Sequence, residues 1–179
     1  MNNNIEFELK ILVNKDHFET LLALFDTQCV DQNNIYYDNE NQVLHGKKAA
    51  MRLRFIDNKK YFTLKTRSNG DLLEYEKEVF FDDLNNCNDE EINNLLSSFD
   101  VYKPFFPIGS LRTIRHYINL EHGQLCFDEN YYYGKIDYEI EYEYFDEHDG
   151  IRIFNDILSN VGLVYKSNCT SKFRRCMQS

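Results

Sequence analysis

Apolar and charged residues alternate with period two through much of this chain. Ile5, Phe7, Leu9 and Ile11 alternate with Glu6, Glu8 and Lys10, and Met51, Leu53 and Phe55 with Arg52 and Arg54. Phe62 and Leu64 alternate with Thr63, Lys65 and Arg67; Tyr75 and Val79 alternate with Glu74, Glu76 and Glu78. Tyr138, Ile140, Tyr142 and Tyr144 alternate with Asp137, Glu139, Glu141 and Glu143. This period puts successive side chains on opposite faces of a β-strand. Further strands are expected at 35–38, 111–120 and 125–128. Helical spacing instead marks 16–25, 89–99 and 149–161. In the first, Phe18, Leu21, Leu22 and Phe25 share a face, and Asp16 with Glu19 resembles a capping box. In the last, Ile151, Phe154, Ile157, Leu158 and Val161 share a side. About eight strands joined mostly by short turns predict an α+β fold: an eight-stranded antiparallel β-barrel with flanking helices.

The chain has 179 residues, 42% of them hydrophobic, so it can bury a core as one domain over 1–179. No linker or repeat divides it, and Pro104 with Pro107 marks a loop. Aromatic residues at 15% argue against disorder. A formal charge of -10 argues against adhesion to nucleic acid or an anionic membrane, but leaves room for an enclosed cationic site. No apolar run approaches the roughly 20 residues a membrane helix needs. Met1-Asn2-Asn3-Asn4 lacks the basic and apolar pattern of a signal peptide, and the expectation is a cytoplasmic protein. The 5 cysteines contain no Cys-x-x-Cys and the 5 histidines no His-Glu-x-x-His, so free structural thiols are expected and no zinc or redox site is signalled.

A sheet with one core face and one wetted face would account for any single charged row. Taken together, the rows point elsewhere. Some are acidic, others basic, and the first strand carries both, as expected if opposed walls of one lumen bind metal and polyanion. The apolar side chains of such a barrel point outward, under the amphipathic helices. Glu6 and Glu8 lie about 7 Å apart on one face, and Glu139 with Glu141 repeats that spacing. Carboxylates without His or thiolate partners suit Mg²⁺ or Mn²⁺. Lys10, Arg52, Arg54, Lys65, Arg115 and Lys172 form a complementary cationic set. A triphosphate chain, long and multiply charged, matches such a lumen. No glycine-rich phosphate loop is present, so side chains must supply the recognition.

Glu6-Phe7-Glu8-Leu9-Lys10 has the Glu-x-Glu-x-Lys form that opens CYTH domain proteins, the triphosphate tunnel metalloenzymes. The order continues with Asn34-Ile35-Tyr36-Tyr37-Asp38, Arg52-Leu53-Arg54, Thr63-Leu64-Lys65 and Glu76-Lys77-Glu78. Arg115, Asp128, Glu139-Ile140-Glu141 and Ser171-Lys172-Phe173 complete it, so that the resemblance runs from Glu6 to Arg175 and is thiamine-triphosphatase-like. It implies an eight-stranded tunnel that takes a triphosphate-containing small molecule with Mg²⁺ or Mn²⁺, in a monomer or homodimer. Carried over, Glu6, Glu8, Glu139 and Glu141 resemble metal ligands, supported by Asp128 and Glu78. Lys10, Arg52, Arg54, Lys65, Arg115 and Lys172 resemble phosphate binders, with Tyr36, Lys65 and Lys172 as the catalytic set.

Residues near these need sorting. Glu74, near a hairpin end, is expected to be exposed, and Glu143 to sit at the rim. Strand parity favours Arg115 over Arg112 for the lumen. Lys166 and Arg175 belong either to the tunnel mouth or to a surface tail. Tyr131, Tyr132 and Tyr133 are expected to pack helix against barrel rather than stack on a base, and the histidines, including His116, to be core or surface residues. The leading function is a metal-dependent triphosphatase acting on inorganic triphosphate or an organic one such as thiamine triphosphate. The alternatives are a class IV type adenylate cyclase and a non-catalytic polyphosphate or nucleotide sensor. One scaffold hosts several chemistries, and nothing in the sequence marks an adenine pocket.

Overall fold

A computed structural model describes residues 2–5, 7–68, 71–144, 146 and 148–178. The chain opens with β1 (Asn2–Ile5), β2 (Phe7–Val13) and α1 (Lys15–Leu22), followed by β3 (Gln28–Asn39), α2 (Val43–Gly46) and β4 (Ala50–Ile56). Next come β5 (Lys59–Ser68), β6 (Asp71–Val79), α3 (Glu90–Ser98), β7 (Phe105–Asn119), β8 (Gly123–Tyr132) and β9 (Lys135–Tyr144). Helices α4 (Gly150–Leu158) and α5 (Lys172–Met177) end it.

All the strands pair antiparallel in one sheet of order β1-β6-β5-β4-β3-β7-β8-β9-β2. The first and last strands of that order are consecutive in the chain, with only residue 6 between them. Asn3 pairs with Tyr75 of β6, and Leu9 with Tyr142 of β9. The sheet therefore curls round, and the N-terminal strand joins its two edges. Counted as one, β1 and β2 give the expected eight strands.

The curled sheet carries its apolar residues on the outside. Met51, Leu53, Phe62 and Leu64 pack beneath Ile92 and Leu96 of α3. Leu9, Leu125, Phe127, Ile140 and Tyr142 pack beneath Phe18 and Leu21 of α1 and Phe154 and Leu158 of α4. Each such fully buried side chain contributes roughly 1.5–3 kcal/mol. A third, smaller cluster sets Tyr36, Leu111 and Tyr132 against Cys176 of α5. Among the described residues no helix is long and apolar enough to cross a membrane.

Side-chain caps fix where the helices start. Asp89 accepts from the amides of Glu91 and Ile92 at 3.1 Å each, and Asp149 from that of Arg152 at 3.0 Å. At α1 the cap is Asn14, which accepts from His17 N at 2.8 Å, in place of the expected Asp16 and Glu19 box. Asp16 lies inside the first turn, where its charge favours the positive end of the helix. Asp38 accepts from Leu44 N (3.1 Å) and His45 N (2.9 Å), fixing the short α2 turn. Pro107 is part of β7 rather than of a loop. It faces Tyr37 where the register with β3 shifts between Tyr36 and Tyr37, and such an irregularity tolerates a missing N–H.

Candidate functional site

The concave face of the sheet encloses a cavity of about 1270 Å³. Period-two alternation aims Lys10 of β2, Arg52 and Arg54 of β4, Lys65 of β5, Arg115 of β7, Asp128 of β8 and Glu141 of β9 into it. Glu8, Tyr36 and, from α5, Lys172 line it as well. Glu6 lies outside the described residues.

One wall is acidic. Asp128 and Glu139, in register on β8 and β9, are both 0% exposed, and Glu141 is 3% exposed. Lys172 Nζ stands 2.8 Å from Asp128, 3.0 Å from Glu139 and 2.7 Å from Glu141. Arg115 forks onto Asp128 at 2.8 and 2.7 Å, reaches Glu143 at 3.1 Å, and contacts Glu141. Arg175, which does not line the cavity, pairs with Asp137 at 2.8 Å and with Glu139. Buried charges persist only with such partners. Burial opposes the charge on Lys172, yet Asp128, Glu139 and Glu141 together raise its pKa well above the ordinary value. Burial and the neighbouring Glu141 push Glu139 up to about 8, whereas Lys172 and Arg115 overcome burial at Glu141 and hold it well below the carboxylate range.

The opposite wall is basic. Arg52 meets Glu74 at 3.5 Å, and Lys65 meets the same carboxylate at 3.6 Å. Arg54 Nε donates to the neutral Asn34 Oδ1 at 3.1 Å, and among the described residues no carboxylate comes within ion-pair distance of Arg54. Burial, then the like charges of Arg52 and Arg115, push Arg54 down to about 10. Asn34, 2% exposed, is itself anchored to the Leu111 carbonyl at 3.3 Å.

Two expectations are corrected here. Glu78 stands outside the cavity, exposed, 3.7 Å from Lys59, because it lies at the far end of β6. Glu74, expected to be exposed, lines the cavity together with Glu76, because pairing continues to Ser68 and Asp71 and leaves Glu74 well inside the hairpin. Other residues stand where parity placed them. Arg112 points outward onto Asp31 at 2.6 Å, and Glu143 is half-buried beside Arg115. Tyr36 packs on Phe173 with ring centroids 4.9 Å apart. Tyr132 is buried, its hydroxyl donating to Asp137 at 2.6 Å, and the Arg112 guanidinium covers the Tyr131 ring. Lys166 is exposed. The five cysteines are free, and burial raises the Cys169 thiol, at the cavity, to about 11.

Asn168 carries a role that strand and helix periodicity gives no sign of. Its Oδ1 accepts from Lys10 N at 2.8 Å and its Nδ2 donates to the Glu8 carbonyl at 3.0 Å, while Cys169 N donates to the Lys10 carbonyl at 3.1 Å. This segment acts as a short surrogate strand along β2, at the level of Glu8 and Lys10. Its polar run, Ser167-Asn168-Cys169-Thr170-Ser171, was the available signal.

Asp128, Glu139 and Glu141 fit a hard cation. Their oxygens converge on a single cation-sized position, marked by the Lys172 ammonium, and an all-oxygen donor set suits Mg²⁺ or Mn²⁺.

The family model described as CYTH domain matches residues 4–176. A Bacillus subtilis protein provisionally named triphosphatase YjbK is 31% identical over 173 residues, covering 91% of this chain and 90% of its own. The structure of a Bacillus halodurans protein provisionally described as an adenylate cyclase superposes with a TM-score of 0.87 at 28% identity, over 98% of both chains. A Hippeastrum protein provisionally named an adenylyl cyclase, and described as having a dominant triphosphatase activity, shares the fold with a TM-score of 0.79 at 23% identity, over 97% of this chain and 96% of its own.

Proposed function

Because this chain belongs to the CYTH domain family, we propose that it is a divalent-metal-dependent triphosphatase, residues 1–179 acting as one domain. Its substrate is inorganic triphosphate or an organic triphosphate such as thiamine triphosphate. The observation that carries this reading is Arg54, set among Arg52 and Arg115 with a neutral amide as its hydrogen-bond acceptor and pushed down to about 10. A wall arranged this way gains most from a polyanion.

In this reading Lys10, Arg52, Arg54, Lys65 and Arg115 bind phosphate oxygens. Asn34 orients Arg54, and Glu74 holds Arg52 and Lys65 apart from the acidic wall. Asp128, Glu139 and Glu141, with Glu8 and the expected Glu6, would hold Mg²⁺ or Mn²⁺. When bound, the ion supplies Lewis-acid polarisation of phosphoryl oxygens. Tyr36, Lys65 and Lys172 act on the leaving group or the attacking water. Glu76 lines the cavity and takes the supporting place expected of Glu78.

The test is a product assay with tripolyphosphate, thiamine triphosphate and ATP in Mg²⁺ or Mn²⁺. Phosphate release that is lost in Arg54→Ala and Glu139→Gln, with folding retained, is the expected result. Pyrophosphate with cyclic AMP from ATP would replace it with the cyclase reading, which the name of the Bacillus halodurans relative favours. Tight tripolyphosphate binding without turnover would make the protein a sensor.

A further inference from the structure

Away from the cavity, His122, Asp146 and His148 gather potential ligand atoms within 4.8 Å of one another. His122 follows β7 on the turn into β8, while Asp146 and His148 lie between β9 and α4. Gly123 makes this approach possible. A Cβ there would stand 2.2 Å from the Glu143 carbonyl and 2.9 Å from Tyr144 Cα, so only glycine lets the turn press against β9.

The Asp146 carboxylate lies between the two imidazoles. His122 Nδ1 is 3.2 Å from Oδ2 and His148 Nδ1 is 3.2 Å from Oδ1. The rings stack 4.8 Å apart at 24°. Two ligand atoms on a tetrahedral zinc ion with bonds of about 2.0 Å lie about 3.3 Å apart; each imidazole already stands at that spacing from one oxygen of the carboxylate, and a rotation of the exposed Asp146 side chain would bring a single oxygen to both. His148, 10% exposed, is the rigid member: rings of Tyr142 and Tyr144 hold it edge-on, and the Tyr142 hydroxyl meets Nε2 at 2.9 Å. As arranged here, its Nδ1 carries the proton, because the Asp146 backbone carbonyl at 2.9 Å can only accept. A cation at Nδ1 would displace that proton and leave Nε2–H to donate to Tyr142. This is the second-shell contact that orients ligating histidines.

We propose that His122, Asp146 and His148 form a binding site for a borderline divalent transition ion of the Zn²⁺ class, which clips the β7–β8 turn to the segment leading into α4. Mixed imidazole and carboxylate donors select such an ion over Mg²⁺. His122 and Asp146, at 37% and 58% side-chain exposure, leave the remaining coordination position to water. The site is independent of the tunnel chemistry.

The experiment is uptake of Zn²⁺ by the full chain in excess Mg²⁺, which saturates the tunnel carboxylates, followed by dialysis and metal counting. One Zn²⁺ per chain is expected in the wild type and in Asp128→Asn. His122→Ala and His148→Ala should lose it, and Tyr142→Phe should weaken it about 10- to 100-fold. Zn²⁺ should raise the melting temperature of the wild type but not of His122→Ala, whose exposed ring can be removed without disturbing the core. Phosphate release by His122→Ala should be unchanged. No uptake by the wild type would overturn the proposal. So would uptake that persists in both histidine variants or disappears in Asp128→Asn.

Discussion

The two walls of the cavity handle buried charge in opposite ways. On β8 and β9, Asp128, Glu139 and Glu141 are surrounded by Lys172, Arg115 and Arg175 at ion-pair range. On β4 and β5, Arg52 and Lys65 share Glu74 at 3.5 and 3.6 Å, and Arg54 rests on an amide. Among the described residues the acidic wall is internally compensated, whereas Arg54 of the basic wall has no carboxylate at ion-pair distance. The charges of the first are answered within the protein, and under the proposed function Arg54 on the second is answered by a phosphate oxygen.

This contrast can be broken from either side. Glu141→Ala should have the largest effect, a loss of about 3–5 kcal/mol in a denaturant melt, because it leaves Lys172 and Arg115 buried with fewer partners. Arg54→Ala should lower phosphate release by roughly 10²–10³-fold, about 2.7–4 kcal/mol of transition-state stabilisation, while its melting midpoint stays level or rises as like-charge repulsion is relieved. An unstable Arg54→Ala would mean the basic wall is structural after all. Tripolyphosphate with Mg²⁺ at about 100 times its Kd should add about 2.7 kcal/mol to wild-type stability, a gain read by thermal shift and absent from Arg54→Ala. Chelating the metal should abolish turnover in the product assay.

The smallest effect belongs to a residue on neither wall. Asp89→Ala removes the α3 cap and should cost about 1 kcal/mol without altering phosphate release. Its pairing with Lys77 lowers the folded-state pKa of Asp89. The contribution is therefore complete above the unfolded value of about 3.9 and is lost as pH falls through the lowered folded value. Acid melts of the wild type and the variant should converge there.

The sequence shows the alternation of β2, β4, β5 and β9 plainly, since one face of each is apolar and the other charged. Much of the cavity was legible from those rows. The sequence predicts only 35–38 of β3 because Gln32 and Asn34 face a polar cavity while Asp31 and Asn33 flank them, which leaves no apolar face to count. α5 escaped because its six residues, Lys-Phe-Arg-Arg-Cys-Met, are too few to establish a 3.6-residue period. Glu74 and Glu78 share a strand face, so parity could not order them; the length of the hairpin did. Arg175 depended on α5, which turns it onto Asp137 and Glu139.

The N-terminal strand has a kinetic corollary. Residues 2–13 precede both of their partners, and β9 follows them by more than half the chain. During synthesis the earliest segment of the sheet must wait, unpaired, for the latest. Pairings this distant in sequence slow folding, and the final seam is expected to be the rate-setting contact.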